Sequence, residues 1–154
     1  MKFIADNMLG KLAKYLRALG YNCIYPPPEN IDKIIEYIKK EDRIFITRSK
    51  KYTGQIEKSN IVILYSDKID KQILELREKV KISYDPEKLF SRCLICNIEI
   101  FPVEKLDEKK NIPRRVFEYF KEFYKCPQCN RIYWMGGHTK RMTEKIEKIF
   151  KTLK

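Results

Sequence analysis

The sequence lacks any apolar segment long enough to cross a membrane. A membrane-spanning helix needs roughly 18 consecutive apolar residues, and no run approaches that length. The N-terminal segment also interrupts its apolar positions with Asp6, Lys11, Lys14 and Arg17, unlike a secretory signal peptide. Internal repeats and low-complexity segments are absent as well. We therefore expect a soluble, cytoplasmic, globular protein with no membrane partner.

Acidic residues are too few to balance the basic ones. The chain of 154 residues carries 33 Lys and Arg against 21 Asp and Glu, a formal net charge of +12. This charge indicates a polyanionic partner, and nucleic acid is the commonest one. An anionic membrane surface and a composition adapted to heat are alternatives that charge alone leaves open. The hydrophobic content of 44% suffices for one medium domain or two small ones.

The first half of the chain alternates short strand-like runs with helical patterns. The runs are KFIAD, NCIY, RIFIT and IVILYS, and amphipathic helices fall between them. Nearly continuous apolar strands separated by such helices are typical of a parallel sheet covered on both faces. We therefore predict an α/β fold with a small, doubly wound parallel sheet over residues 1–82. A linker over residues 83–91, which contains Pro86, follows it.

Helix ends in this half carry recognisable residues. Gly20 is suited to end the first helix, because it adopts left-handed backbone conformations without strain. Asn30 and Asp67 are suited to cap the second and third helices. Doubly wound domains bind their ligands at the carboxyl ends of the strands. This sequence would place Asp6, residues 47–49 (Thr47 to Ser49) and residues 66–67 (Ser66 and Asp67) at that edge.

Cysteine is nearly absent from the first half, where Cys23 stands alone, and is paired in the second. Two C-x-x-C motifs, separated by 29 residues, contain Cys93, Cys96, Cys126 and Cys129. Paired thiolates at this spacing predict a four-coordinate structural zinc site. Asn97 and Asn130 follow the pairs and tolerate the left-handed backbone that such knuckles often require. We predict a C-terminal zinc ribbon over residues 92–154 that depends on its metal for folding and ends in a short basic helix.

Other uses of the four cysteines stay open. Two disulfides or free structural thiols are possible, although an intracellular location disfavours disulfides. Four thiolates with a similar gap would also hold iron in a rubredoxin-like electron-transfer site, but no Gly follows either pair. A redox or purely structural metal protein is therefore a third class of function, which leaves the first half and the basic charge unexplained.

Basic residues lie beside aromatic residues and glycines on both sides of the second cysteine pair. NIPRRVFEYFKEFYK precedes it, and NRIYWMGGHTKRM follows it with the single histidine, His138. Such combinations suit RNA contact, and His138 could donate a proton or bind phosphate. The predicted RNA-binding residues are Arg17, Arg48, Lys50, Lys51, Arg114, Arg115, Arg131, His138, Lys140 and Arg141. The plain alternatives are solvated basic side chains and aromatics that form a core.

Four segments together carry a family resemblance: DNMLGKLAKYLRALGYN, EDRIFITRS, SRCLICN and CPQCNRIYWMGGHTKRM. They resemble the C-terminal ribonuclease domain family of the Mut-seven exonucleases over essentially the whole chain. The resemblance implies a PIN-like nuclease domain followed by a zinc ribbon, and metal-dependent cleavage of RNA. The family's first two acidic positions fall on Asp6 and Asp32. Its third, in a segment resembling R-I-L-L-T-R-D, falls on Ser49.

Metal-dependent phosphodiester hydrolysis needs several carboxylates converging on Mg²⁺ or Mn²⁺. We therefore expect Asp6 and Asp32 to bind the catalytic metal, with Asp67 or Glu29 assisting and Ser49 at the third position. A hydroxyl is a weaker ligand than a carboxylate. The alternative is accordingly a catalytically lapsed RNA- or ribosome-binding protein. Ribosomal and transfer RNA are the candidate partners, and no small-molecule cofactor is expected.

Overall fold

The computed structural model describes residues 1–151, which form two sheets and their surrounding helices. In chain order the elements are β1 Lys2–Ala5, α1 Gly10–Ala18, β2 Asn22–Ile24, α2 Ile31–Glu41, β3 Arg43–Thr47, β4 Ile61–Ile63, α3 Ile69–Val80, β5 Phe101–Val103, α4 Arg114–Tyr119, β6 Phe123–Lys125, β7 Ile132–Tyr133 and α5 Gly137–Lys151. Four parallel strands follow the order β2-β1-β3-β4, and three antiparallel strands follow the order β5-β6-β7. Across residues 1–151, no helix has the length and apolarity needed to span a membrane.

The parallel sheet is covered by helices on both faces. Phe3 and Ala5 of β1 belong to a buried cluster that includes residues of α1, α3 and α5. Ile4, between them, belongs to a second cluster with Ile34 and Ile38 of α2. Successive side chains of a strand point to opposite faces, so the nearly continuous apolar runs reflect burial on both sides. The predicted α/β fold with a parallel sheet is confirmed.

Gly20 ends the first helix as its position in the sequence predicts. The helix α1 stops at Ala18, and Gly20 follows with φ of +94°. The Gly20 amide donates to the Arg17 carbonyl over 3.0 Å, and the Tyr21 amide donates to the Leu16 carbonyl over 2.9 Å. This pair of bonds is a Schellman motif, which satisfies carbonyls at the helix end. The chain thereby reverses into β2.

The predicted caps of the next two helices have different outcomes. Asn30 caps α2, because its Oδ1 accepts a first-turn amide hydrogen over 2.8 Å. The predicted cap at Asp67 is wrong. The helix α3 begins at Ile69, and Ser66 Oγ accepts the Lys68 amide hydrogen over 3.1 Å just before it. Ser66 therefore forms the turn, and Asp67 is left exposed.

The C-terminal helix packs on the half that contains the parallel sheet. Ile146 and Ile149 of α5 are buried in the same cluster as the core residues of α1 and α3. The sequence assigned this helix to the unit over residues 92–154, but its apolar face completes the first core. The last residues of that unit, 152–154, lie outside the described residues. The linker over 83–91 stays a prediction.

Candidate functional site

The four paired cysteines come together at one point. Their Sγ atoms all lie within 4.8 Å of one another, and those of Cys93 and Cys129 are 3.8 Å apart. A tetrahedral site with zinc–sulfur bonds of about 2.3 Å requires sulfur atoms about 3.8 Å apart. All five cysteines of the chain are free thiols rather than disulfides. The donor set therefore fits a metal such as zinc.

The two cysteine pairs have matching backbone hydrogen bonds. The amides of Cys93 and Cys126 donate to the carbonyls five residues later, over 2.8 and 3.0 Å. Their carbonyls accept from the amides of Asn97 and Asn130, over 2.9 and 3.0 Å. Both asparagines have left-handed backbones, with φ of +64° and +61°, as the sequence predicted. Each pair is therefore a tight knuckle that holds its thiols on one side.

Tyr133 lies beside the buried thiol of Cys93. Its hydroxyl is 2.9 Å from Cys93 Sγ and accepts the Leu94 amide hydrogen over 3.2 Å, so its own hydrogen is free to point at the sulfur. Burial raises the pKa of the Cys93 thiol, but hydrogen bonds from Tyr133 and from the amides of Cys96 and Ile95 lower it to about 7. These hydrogen bonds favour the thiolate of Cys93, which is the form of cysteine that ligates a metal.

Asn97, in the first knuckle, also bonds to β2, the outermost strand on one side of the parallel sheet. Asn97 Oδ1 accepts the amide hydrogen of Cys23 over 2.9 Å, and its Nδ2 donates to Asn22 Oδ1 over 2.8 Å. Both partners lie in β2, which is an edge strand. An edge strand presents backbone groups that a further strand or another chain could pair with. Asn97 thus joins the cysteine half of the chain, which contains Cys93 to Cys129, to the parallel sheet. Its side chain gives a backbone amide of the edge strand a hydrogen-bond partner.

Arg17 has a structural position that corrects its predicted role in RNA binding. Its side chain is only 6% exposed. The guanidinium donates to the Cys23 carbonyl over 3.0 and 2.9 Å and to the Leu94 carbonyl over 2.9 Å, with further bonds to the carbonyls of Tyr25 and Ile95. The guanidinium N–H groups that an arginine would donate to a phosphate are therefore already bonded to carbonyls. Arg17 therefore ties α1 to β2 and to the first knuckle.

Asp6 is a buried carboxylate at the carboxyl edge of the parallel sheet. It is 4% exposed and follows β1, one of the two inner strands. Oδ1 accepts the Asn7 amide hydrogen over 2.8 Å, so Asp6 does cap the short 3₁₀ turn that follows. Oδ2 accepts the hydroxyl hydrogen of Thr47 over 2.6 Å, and the Thr47 hydroxyl accepts the Ser49 amide hydrogen over 2.9 Å. The end of β3 thus holds the carboxylate in place.

The other predicted catalytic residues also follow the carboxyl ends of the strands, but they do not form a cluster of acids with Asp6. Asp32 lies in the first turn of α2, after β2, and Asp67 lies in the loop after β4. Both are exposed, as is Glu29. Ser49 Oγ accepts the Lys51 amide hydrogen over 3.3 Å and caps a 3₁₀ turn. Within residues 1–151, the four cysteines are the sole group of three or more His, Cys, Asp or Glu side chains close enough to hold one ion.

The remaining predicted RNA-binding residues are all exposed: Arg48, Lys50, Lys51, Arg114, Arg115, Arg131, His138, Lys140 and Arg141. They lie in separate places. The first three flank Ser49 at the sheet edge, and Arg114 pairs with Glu118 on α4 over 3.1 Å. Arg141 Nη2 lies 3.0 Å from His138 Nδ1 on α5. The exposed cations thus form several patches rather than one.

The family comparison covers both halves. The family model of the Mut7-C RNAse domain matches residues 1–146. The chain belongs to this family. Membership indicates an RNA-acting nuclease with an RNA substrate, and the resemblance read from the sequence is confirmed. No curated protein matches the chain.

Three residues of this Mut7-C RNAse domain have roles that sequence reasoning missed. Thr47 holds Asp6, Asn97 closes the sheet edge, and Tyr133 bonds to a cysteine thiol. The sequence placed Thr47 at the carboxyl ends of the strands but did not predict its hydrogen bond to Asp6. Asn97 was recognised for its backbone only, and nothing in the sequence pattern marks Tyr133 as a neighbour of Cys93.

Proposed function

We propose that the protein is a metal-dependent ribonuclease that hydrolyses RNA phosphodiester bonds at the carboxyl edge of its parallel sheet. The observation that carries the proposal is the buried, doubly hydrogen-bonded carboxylate of Asp6 at the end of the inner strand β1. A carboxylate offers about four lone-pair sites. The amide of Asn7 and the hydroxyl of Thr47 use two of them, which leaves sites for a cation.

Asp32 is the second proposed ligand of the catalytic ion. It is exposed at the start of α2, on the edge where Asp6 lies. Mg²⁺ keeps several waters and binds proteins through one or two carboxylates plus the phosphates of its substrate. Asp6, Asp32 and an RNA phosphate together fit that requirement, with Asp67 as an assisting acid. The ion would supply an activated water and stabilise the leaving oxygen.

The cysteine centre is proposed to hold structural zinc. The cysteine half has short strands and a small core, and its four thiols are spaced for tetrahedral coordination. Since the first knuckle bonds directly to β2 through Asn97, the metal would stabilise both the ribbon and an edge of the nuclease sheet. A colourless protein that contains one zinc per chain would support zinc, whereas a coloured ferric centre would support iron.

A lapsed, RNA-binding protein is the second candidate, and one observation favours it. Ser49 stands where the family pattern has an acid, and its hydroxyl caps a turn instead. The exposed cations at this edge would still bind phosphate in such a protein. The variant Ser49→Asp discriminates between the two candidates. Activity that appears only in this variant supports the lapsed protein, and activity in the unchanged chain supports the ribonuclease.

Labelled single-stranded RNA incubated with Mn²⁺ tests the proposal. Asp6→Asn keeps the size and one acceptor oxygen of the side chain but removes its charge. We expect cleavage by the unchanged protein and none by Asp6→Asn. Asp42→Asn is the matched control, because Asp42 is exposed between α2 and β3, at the opposite edge of the sheet. Equal cleavage by all three proteins would overturn the assignment of Asp6.

A further inference from the structure

A cationic groove runs between the first and last helices of the chain. A cavity of about 390 Å³ lies between α1 and α5, and its lining includes Tyr15, Phe90 and Met142. The charged or titratable side chains along it are Lys11, Lys14, His138, Arg141 and Lys145. None of its lining residues is acidic. The walls of the groove therefore contain no carboxylate that would neutralise these cations.

The cations of this groove are available for a ligand. Lys11, Lys14 and Arg141 are exposed, and so is Lys145, whose Nζ lies 5.9 Å from the centre of the Tyr15 ring. Within residues 1–151, the four form no ion pair with an Asp or Glu. Side chains three or four residues apart lie on one face of a helix. Lys11 and Lys14 therefore form one wall, and Arg141 and Lys145 form the other.

The groove continues to the carboxyl edge of the parallel sheet. A neighbouring cavity of about 340 Å³ shares Lys11 and Lys145 with it and adds Met8, Lys68 and the two acids Asp67 and Asp70. Met8 lies in the 3₁₀ turn that Asp6 caps, and Asp67 follows the strand β4. A chain that follows the groove away from His138 therefore reaches the turn that Asp6 caps.

The other end of the groove meets an aromatic pocket. A cavity of about 230 Å³ shares Phe90 and Thr139 with the groove. It is also lined by Tyr124, Trp134 and Met135, and by the carboxylates of Glu87 and Glu122. Aromatic side chains beside a cationic groove suit a single strand, whose unpaired bases stack on them while its phosphates follow the cations. A duplex keeps its bases stacked inside and cannot use such a pocket.

We propose that the groove between α1 and α5 binds the sugar-phosphate backbone of single-stranded RNA and leads it from the aromatic pocket to Asp6. This inference rests on the proposed ribonuclease function and adds the path of its substrate. It assigns phosphate contacts to Lys11 and Lys14 of α1 and to Lys145 of α5.

Binding of fluorescently labelled single-stranded RNA to Asp6→Asn protein, without added Mg²⁺ or Mn²⁺, tests the path while preventing cleavage. The test variant adds Lys11→Glu and Lys145→Glu. The matched control adds Lys39→Glu and Lys58→Glu, which change the net charge equally at exposed positions away from the groove. Circular dichroism verifies that both variants are folded.

We expect the groove variant to lose about tenfold or more in affinity and the control to lose at most about twofold. The slope of log affinity against log salt should fall by about 1.4 for two lost phosphate contacts. Equal weakening of the two variants, or tighter binding of duplex RNA than of single-stranded RNA, would overturn the path. Preferential binding of an acidic polypeptide in competition with RNA would overturn it too.

The failure of the path and that of the proposed function are distinguishable. If the groove variant binds RNA weakly while the unchanged chain shows no cleavage with Mn²⁺, the path stands and the ribonuclease function fails. If cleavage by the unchanged chain depends on Asp6 but both lysine variants bind RNA equally well, the function stands and the path fails.

Discussion

Thr47 donates its hydroxyl hydrogen to Asp6 Oδ2 over 2.6 Å, and both side chains are buried. The bond joins the ends of the neighbouring parallel strands β1 and β3. The same hydroxyl accepts the Ser49 amide hydrogen. One threonine therefore fixes both the carboxylate of Asp6, the proposed metal ligand, and the backbone at Ser49.

Replacing Thr47 by Val should destabilise the fold. Valine has a similar size but leaves Asp6 Oδ2 and the Ser49 amide without their shared partner, and an unsatisfied buried polar group costs about 1–3 kcal/mol. The measurement is the free energy of unfolding in urea. Thr53→Val is the control, because Thr53 is exposed, and it should change this free energy by less than about 0.5 kcal/mol. Equal effects would show that the Thr47 hydroxyl contributes nothing.

Asn97 and Asn130 offer a matched pair for the contact between the cysteine half and the sheet. Both have left-handed backbones, which Gly also adopts. Of these two side chains, it is Asn97 that bonds to β2. Asn97→Gly should therefore lower the free energy of unfolding by about 1–3 kcal/mol, and Asn130→Gly by less than about 1 kcal/mol. Thermal unfolding of the metal-loaded proteins measures both, and a smaller effect at Asn97 would contradict the contact.

Gly20 and Gly54 offer a second pair. Both have φ near +90°, at +94° and +88°, so Ala strains the backbone at either site by about 1–2 kcal/mol. An added Cβ at Gly20 would lie 2.8 Å from the carbonyl oxygen of Lys88, whereas nothing lies within 4 Å at Gly54. Gly20→Ala should accordingly lower the midpoint of urea unfolding clearly more than Gly54→Ala. Equal midpoints would mean that the segment around Lys88 moves away freely.

The five cysteines should react in two classes. Cys23 is fully buried, and burial raises the pKa of its thiol to about 12, so at pH 8 it is both protonated and shielded. Chelation of the proposed zinc should expose four thiols to an alkylating reagent, with the fifth reacting only after denaturation. Mass spectrometry of the alkylated protein counts them. Reaction of Cys23 in the chelated, undenatured protein would contradict its placement in the core.

The parallel sheet was predictable because its signals are local. Each strand is marked by its own continuous apolar run, and the first helix is ended by the adjacent Gly20. The paired cysteines mark the two knuckles in the same local way. The placement of α5 was not predictable, because an amphipathic helix shows which face it buries but not against which partner. Asn97 likewise bonds to Cys23, 74 residues away, and no local pattern reports such a contact.

The candidate site was predictable in its residue types and less so in its arrangement. Asp6 could be placed at the carboxyl edge from strand order alone. The predicted RNA contact at Arg17 failed because its charge was read as exposed, whereas carbonyls from two segments surround it. The cations of Lys11 and Lys145 went unnoticed because they meet only when α5 packs beside α1.

The most direct test of the central claim is the rate of Mn²⁺-dependent cleavage of single-stranded RNA by the unchanged protein, Asp6→Asn and Asp42→Asn. A catalytic role for Asp6 predicts cleavage by the unchanged protein and by Asp42→Asn, and none above the buffer blank by Asp6→Asn. Cleavage by Asp6→Asn at the rate of the unchanged protein, or no cleavage by any of the three, would contradict it.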